Sequence, residues 1–188
     1  VSLLHKGYTH APSSPLNKAH RNKRMLLKEL QEHPNDEYYL YQLGRSHFCL
    51  EEFPDAVSAF EKALASIAFR GDEPPCGSNG KRVAHAVLAD LLSLAAYAYV
   101  NTGQLTKARE LLETHQAMGH TGTRAADFAH ALGYVFLMAG DIARSRQAYE
   151  ASLAYGPATE IVRGTGSFAS HYHLGLLCEA EGKPTIAM

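Results

Sequence analysis

The sequence is poor in the residues and patterns that mark common enzymes and disulfide-rich proteins. It contains no tryptophan and only three cysteines, at positions 49, 76 and 178. These lie far apart and form no CxxC pair, which argues against a zinc knuckle and a disulfide framework and favours a reducing compartment. No P-loop, no Ser-His-Asp order and no pair of carboxylates in a recognisable pocket motif is present.

Long hydrophobic runs are also missing. The most apolar stretch, residues 86–100, is interrupted by Asp90 and is shorter than the roughly 20 residues that a membrane span needs. The apolar start, Val1 to Leu4, is too short for the core of a signal peptide. We therefore expect a cytoplasmic protein without a membrane span.

The charges nearly cancel, with a net charge of −1, but they are unevenly distributed. Residues 1–34 carry six Lys/Arg against two Asp/Glu, and the remainder carries twelve against seventeen. The basic residues near the start form one helical stripe: Lys18, Arg21, Arg24 and Lys28. Because no aromatic residues are interleaved with them, we interpret the stripe as a solvated or docking face and expect no nucleic-acid partner.

The most informative stretch is residues 36–64, which reads as two amphipathic helices joined by a turn at residues 50–53. Gly44 and Ala56 are small residues where two helices must approach closely. Large apolar residues recur at the three- and four-residue steps of buried helical faces: Leu40, Leu43, Phe48, Phe53, Val57, Phe60 and Leu64. This pattern resembles a tetratricopeptide (TPR) repeat.

The same pattern recurs three more times. Gly44 is matched by Ala96, Gly133 and Gly175. The turn position holds Glu51, Gly103, Gly140 and Gly182, and the next small position holds Ala56, Ala108, Ser145 and Ala187. Repeats are thus predicted to start near 37, 89, 126 and 168, with the extra length in the loops at 70–82 and 157–166.

We predict an all-α fold, a right-handed α-solenoid of TPR hairpins, preceded by a short N-terminal extended segment. A separate helix is expected at residues 17–32, and the repeat domain is expected to cover residues 17–188. The fourth unit stops at Met188, where its second helix should begin, so both ends are expected to continue in a longer protein.

The first 65 residues resemble the junction between the GT-A catalytic domain and the TPR array of bacterial family-2 glycosyltransferases. The matching residues are His5-Lys6-Gly7-Tyr8, Lys18, Arg21-Asn22, Leu26-Leu27, Leu30 and Pro34. The resemblance implies that residues 1–16 are a remnant or linker of an upstream catalytic domain. The parent enzyme would use a nucleotide sugar and a divalent metal. His5 matches a terminal histidine that could bind that metal, although a structural strand-end histidine is the favoured alternative. Without an Asp-x-Asp motif, the fragment itself is expected to be inactive and to need no cofactor.

The first helix of each TPR pair lines the concave face, and the family's groove positions can be transferred onto this chain. The residues there that we predict to contact a ligand are Tyr38, Tyr41, Arg45, Tyr97, Asn101, His130, Tyr134 and Tyr172. Phe48, Asp90, Asp127 and Glu179 occupy further groove positions. Tyrosine combines an apolar ring with a hydroxyl, which suits binding of peptides or sugars. The alternative is that these rings pack between neighbouring repeats or against the upstream catalytic domain.

The leading hypothesis is a non-catalytic TPR module of a glycosyltransferase that docks an acceptor protein or peptide, or mediates homo-oligomerisation. The alternative is a free-standing TPR adaptor without an enzymatic parent. His171 and His173 have a spacing that points their rings apart on a helix, so no metal site is predicted there. Cys49 and Cys178 are expected to be small buried residues.

Overall fold

The computed structural model describes residues 15–70, 85–119 and 123–182. Every regular element in these ranges is helical, which confirms the all-α prediction. The helices are α1 (Pro15–Glu32), α2 (Glu37–Cys49), α3 (Phe53–Arg70), α4 (His85–Asn101), α5 (Leu105–Ala117), α6 (Ala126–Met138), α7 (Ile142–Tyr155) and α8 (Phe168–Ala180), with a 3₁₀ turn at Pro157–Thr159. The predicted extended segment and His5 lie outside the described residues. No described helix is long and apolar enough to cross a membrane.

The chain divides into two compact units, residues 1–73 and 74–188. In the first unit α1 packs on α2, and α2 packs on α3. Leu26, Leu43 and Ala59 bring one buried side chain from each helix into a common core. The four basic residues of the predicted stripe on α1 are exposed to solvent. In the second unit α4 packs on both α5 and α6, α6 packs on α7, and α7 packs on α8.

Close glycine-to-ring packing joins the two helices of a hairpin in each unit. A Cβ atom built on Gly44 would overlap the Phe60 ring, and a Cβ atom on Gly133 would lie 2.8 Å from the Tyr149 ring. Phe60 and Tyr149 are 1% and 0% exposed, so both rings are interior. Each ring lies sixteen residues after its glycine. The aligned positions of the two hairpins therefore have the same glycine-to-ring packing.

The turns that follow α2, α4, α6 and α8 share a left-handed residue at the aligned position. The φ angles of Glu51, Gly103, Gly140 and Gly182 are 59°, 74°, 76° and 68°. Among the described residues, Glu51 is the one non-glycine residue with positive φ. After α2, α4 and α6 this residue ends the helix and lets the chain reverse into the next one. The small residues that follow, Ala56, Ala108 and Ser145, are all 0% exposed.

The two cysteines within the described ranges differ from the expectation that both are buried. Cys49 is exposed at the end of α2, and Cys178 on α8 is half-buried. The expectation is wrong for Cys49, because this last residue of α2 faces solvent rather than a neighbouring helix. A small apolar side chain by itself does not indicate burial.

Candidate functional site

The second unit contains a partly enclosed cavity of about 240 Å³. Helices α4 and α6 form its floor, and the segment between α7 and α8 closes one side. We call this segment, residues 157–167, the arch. The residues that line the cavity are Asp90, Ser93, Leu94, Tyr97, Asp127, His130, Val162, Arg163, Thr165 and Ala169.

The Asp127 carboxylate fastens the arch to the start of α6. It accepts hydrogen bonds from the backbone N–H of Ile161 at 2.5 Å and of Val162 at 3.0 Å. The Thr165 hydroxyl donates to the same carboxylate at 2.9 Å. Asp127 is 2% exposed, and a buried carboxylate is stable only when donors surround it in this way.

Three hydroxyl groups add further bonds between the arch and its neighbours. The Ser170 hydroxyl of α8 donates to the Thr165 carbonyl at 2.6 Å. The Ser152 hydroxyl of α7 lies 2.7 Å from the same carbonyl. At the other end, the Thr159 hydroxyl accepts the backbone N–H of Ala126 at 3.1 Å. Bonds to α6, α7 and α8 therefore hold the arch as a defined wall of the cavity.

The outer surface of the arch presents apolar side chains beside a cation. Ile161 and Val162 are 48% and 50% exposed. The ring of Phe168, the first residue of α8, packs over Gly164. Arg163 is exposed and forms no salt bridge with any residue that the structure describes. The rim of the cavity thus combines apolar surface with an unpaired positive charge.

Tyr97 and His130 meet at the floor of the cavity, with the Tyr97 hydroxyl 2.9 Å from His130 Nδ1. Burial lowers the pKa of His130 from 6.5 to about 4, with a smaller effect from His173, so the ring is neutral near pH 7. Burial raises the pKa of Tyr97, which keeps its hydroxyl protonated. When the Tyr97 hydroxyl donates to Nδ1, the proton of the neutral imidazole lies on Nε2. The hydroxyl proton of Tyr97 and Nδ1 of His130 are then both hydrogen-bonded.

His130 also belongs to a largely buried ring cluster behind the cavity. Its ring centroid lies 5.2 Å from that of Tyr149 and 5.1 Å from that of His173, both edge-to-face. Tyr149 and His173 stack at 4.9 Å. His130 Nε2 is buried without a hydrogen-bond partner among the described residues, and the edge-to-face rings offer it aromatic contacts instead. The rings of His130, Tyr149 and His173 therefore form an aromatic layer behind the cavity.

Three of the predicted groove residues come together in this region. Tyr97 and His130 line the cavity, and the Tyr134 ring lies 5.4 Å from that of Tyr97. Asn101 is exposed and donates to the Tyr97 carbonyl at 2.8 Å, one turn beyond the cavity. Tyr172 is 65% exposed, and its ring contacts His173 edge-to-face.

The other predicted groove residues lie in the first unit. Tyr41 is only 2% exposed, and its hydroxyl accepts a hydrogen bond from Arg45 at 3.1 Å. Tyr38 is half-buried, with its ring 6.2 Å from that of Tyr41. Because Tyr41 has almost no free surface, its effect on a ligand would act through the position of Arg45. The contribution of these three residues to binding stays a prediction.

Reasoning from the sequence missed the residues of the arch. Val162, Arg163 and Thr165 lie in what reads as a loop of extra length, and no helical periodicity marks them. One feature could have indicated the arch. Asp127 is an acidic residue at a buried helical position, and the later segment rich in Gly and Thr could supply the hydrogen-bond donors that its carboxylate needs.

A second polar cluster, in the first unit, contains residue types that bind metal ions. Its contacts, however, are those of an ion-pair cluster that supports the fold. His47 Nδ1 lies 2.6 Å from Glu52 Oε2 and 4.0 Å from Asp55. Lys23 contacts the same Glu52 oxygen at 2.6 Å. These bonds, first from Lys23 and then from His47, lower the pKa of Glu52. Because a lysine ammonium already neutralises this carboxylate, the cluster is best explained as a contact that ties α1 to the turn between α2 and α3.

Comparison with known proteins shows the fold. No family model and no curated protein matches the sequence. The crystal structure of MamA, a TPR-like helical protein, matches with a TM-score of 0.61 over 92% of this chain and 87% of that chain. The fold is TPR-like. The identity over this match is 19%, so the likeness concerns the TPR-like fold and not the function.

Proposed function

We propose that the chain is a TPR-like protein-interaction module whose second unit binds an extended segment of a partner protein. The observation that carries the proposal is the partly enclosed cavity beside α4 and α6, bounded on one side by an arch that the Asp127 carboxylate fastens in place. A wall held by buried hydrogen bonds is already ordered before a ligand arrives. Binding then requires little loss of conformational freedom by the protein.

The size of the cavity favours one anchoring side chain. Small-molecule pockets usually measure about 300–1,000 Å³, whereas this cavity measures about 240 Å³. It can hold one large side chain of a peptide, while the rest of the peptide lies along the exposed apolar rim. A few such anchors supply most of the binding energy of protein interfaces.

We also propose that the module is part of a family-2 glycosyltransferase and docks the acceptor protein beside the transfer site. The support is the resemblance of residues 5–64 to the junction that follows the GT-A domain. A free-standing TPR adaptor remains the second candidate. The upstream coding sequence distinguishes them: an open reading frame that enters a GT-A domain supports the first, and a start codon near Val1 supports the second.

Filling the cavity tests the proposed binding site directly. Peptides are selected from a random phage-displayed library against the purified protein, and their dissociation constants are measured by fluorescence polarisation. Ala169→Leu places a larger side chain at the cavity wall and should weaken these peptides by at least about tenfold, as expected for loss of a central anchor. Ala143→Leu, on the exposed side of α7, is the matched control and should bind normally.

Two results would overturn the proposal. One is equal affinity of the peptides for wild type, Ala169→Leu and Ala143→Leu. The other is a selection that yields no peptide sensitive to Ala169→Leu. The variant is better suited than Tyr97→Ala, because the Tyr97 hydroxyl bonds to His130 and its removal would also disturb the aromatic layer.

A further inference from the structure

The side chains of the cavity and of its rim indicate which kind of partner segment would bind there. This inference rests on the binding function proposed above. We infer that the partner segment carries a large uncharged apolar side chain next to an acidic residue. The apolar side chain occupies the cavity, and the acidic residue pairs with Arg163 on the arch. Each half of this inference follows from a separate set of contacts.

The cavity favours an apolar side chain because most of its polar wall groups already have partners. The Asp127 carboxylate accepts three hydrogen bonds from the arch. The Ser93 hydroxyl donates to the Ala89 carbonyl at 2.7 Å, and His130 Nδ1 is paired with the Tyr97 hydroxyl. Asp90 also has a partner within the protein. Apart from His130 Nε2, these groups offer a ligand few free bonding positions, so a polar group would lose its hydration with little compensation, which is unfavourable.

The sign of the buried charges excludes an acidic side chain inside the cavity. Two of the lining residues, Asp90 and Asp127, are carboxylic acids that are each 2% exposed. A third carboxylate beside them would be repelled in a region where water screens poorly. The acidic residue of the partner must therefore remain at the rim.

Arg163 is the group at the rim that would receive this acidic residue. Its side chain is exposed, and it makes no salt bridge within the described part of the chain. The neighbouring acid on the arch, Glu160, accepts the backbone N–H of Gly166 at 3.0 Å instead. On either side of Arg163, the bonds of Val162 and Thr165 to Asp127 hold the backbone in place.

This arrangement holds the backbone at Arg163 in place and leaves its side chain available. An arginine on an ordered segment loses less freedom on pairing than one on a mobile loop, and its planar guanidinium suits a carboxylate. Apolar surface from Ile161 and Val162 flanks it. A segment with its apolar side chain in the cavity would thus place a neighbouring residue within reach of a single positive charge.

A charge-exchange experiment tests the inference. The phage-selected peptides are synthesised in three versions, with the residue next to the apolar anchor as Glu, Gln or Lys. For wild type, the Glu version should bind about two- to fivefold more tightly than the Gln version at low salt, as for an exposed ion pair, and the difference should shrink at high salt. Arg163→Glu should reverse the preference in favour of the Lys version. Arg124→Glu changes another exposed arginine of the same unit and should leave the order unchanged.

The outcomes separate this inference from the proposed function. If Ala169→Leu abolishes binding but the Glu, Gln and Lys versions bind wild type equally, the cavity binds peptides. The inferred pairing of an acidic residue with Arg163 is then wrong. If Arg124→Glu alters the preference as strongly as Arg163→Glu, the effect is that of overall charge, and the inference is again wrong. If Ala169→Leu has no effect on any peptide, the proposed function itself fails.

Discussion

The hydroxyl of Ser145 donates a hydrogen bond to the backbone carbonyl of Gly133 at 2.8 Å. A side chain on α7 thus contacts the main chain of α6, which requires the two helices to be very close at this point. Ser145 is 0% exposed, and one turn later Tyr149 covers the same glycine. The small residue at each of these positions is what permits the hairpin of α6 and α7 to form.

Gly133→Ala should destabilise the protein by about 1–3 kcal/mol through overpacking. The new Cβ atom would lie 2.8 Å from the Tyr149 ring, and this clash outweighs the roughly 0.5–1 kcal/mol that alanine gains in a helix. Urea denaturation measures the change. In a Tyr149→Leu background the cost of Gly133→Ala should be smaller. An equal cost in both backgrounds would show that the Tyr149 ring is not the cause.

Asp127→Asn should loosen the arch. The amide side chain has one carbonyl oxygen and no charge, so it cannot replace the bonds that the carboxylate accepts from Ile161, Val162 and Thr165. Hydrogen bonds to a charged group contribute about 1.5–3 kcal/mol. Amide hydrogen exchange of Ile161 and Val162 should accelerate accordingly. Asp141→Asn, which caps α7 by accepting from Arg144 N at 3.1 Å, is the matched control and should leave these two amides unchanged.

Glu51→Gly should stabilise the first hairpin by about 0.5–1 kcal/mol. Glu51 is exposed with a φ of 59°, a conformation that costs an L-residue about 1–2 kcal/mol, and the greater freedom of glycine in the unfolded chain offsets part of the gain. The complementary variant is Gly103→Ala. A Cβ atom there would meet nothing within 4 Å, so backbone strain alone should destabilise it. Thermal denaturation of both variants checks the signs, and destabilisation by Glu51→Gly would contradict this account.

Stability should fall as the pH drops from about 6.5 towards 4, because of His130. Burial lowers the pKa of His130 from 6.5 to about 4 in the folded protein. The unfolded state therefore binds a proton in this window that the folded state does not, and the contribution of neutral His130 is complete only above about pH 6.5. NMR titration of the imidazole measures the pKa. Denaturation of His130→Gln between pH 4 and 7 should show a smaller slope than wild type, and an unchanged slope would assign the effect to another group.

The helical hairpins could be predicted from the sequence because their determinants are local. The three- and four-residue spacing of apolar side chains marks the faces that pack, and Gly44 and Gly133 mark where helices approach. Even the left-handed turn at Glu51 follows from its alignment with the three glycines at the same position. Cys49 shows the limit of such reasoning, because a residue at a helix end can face either solvent or a neighbour.

The amino-acid sequence by itself thus determined the TPR-like hairpins, since each is stabilised by contacts between residues within one or two helices of each other. Only the tertiary structure decided the candidate site. The bond from Thr165 to Asp127 spans 38 residues and joins a non-helical segment to the start of a helix. The spacing of apolar residues in the sequence does not reveal such a contact. The two partners are brought together by the packing of α6, α7 and α8 and not by their separation along the chain.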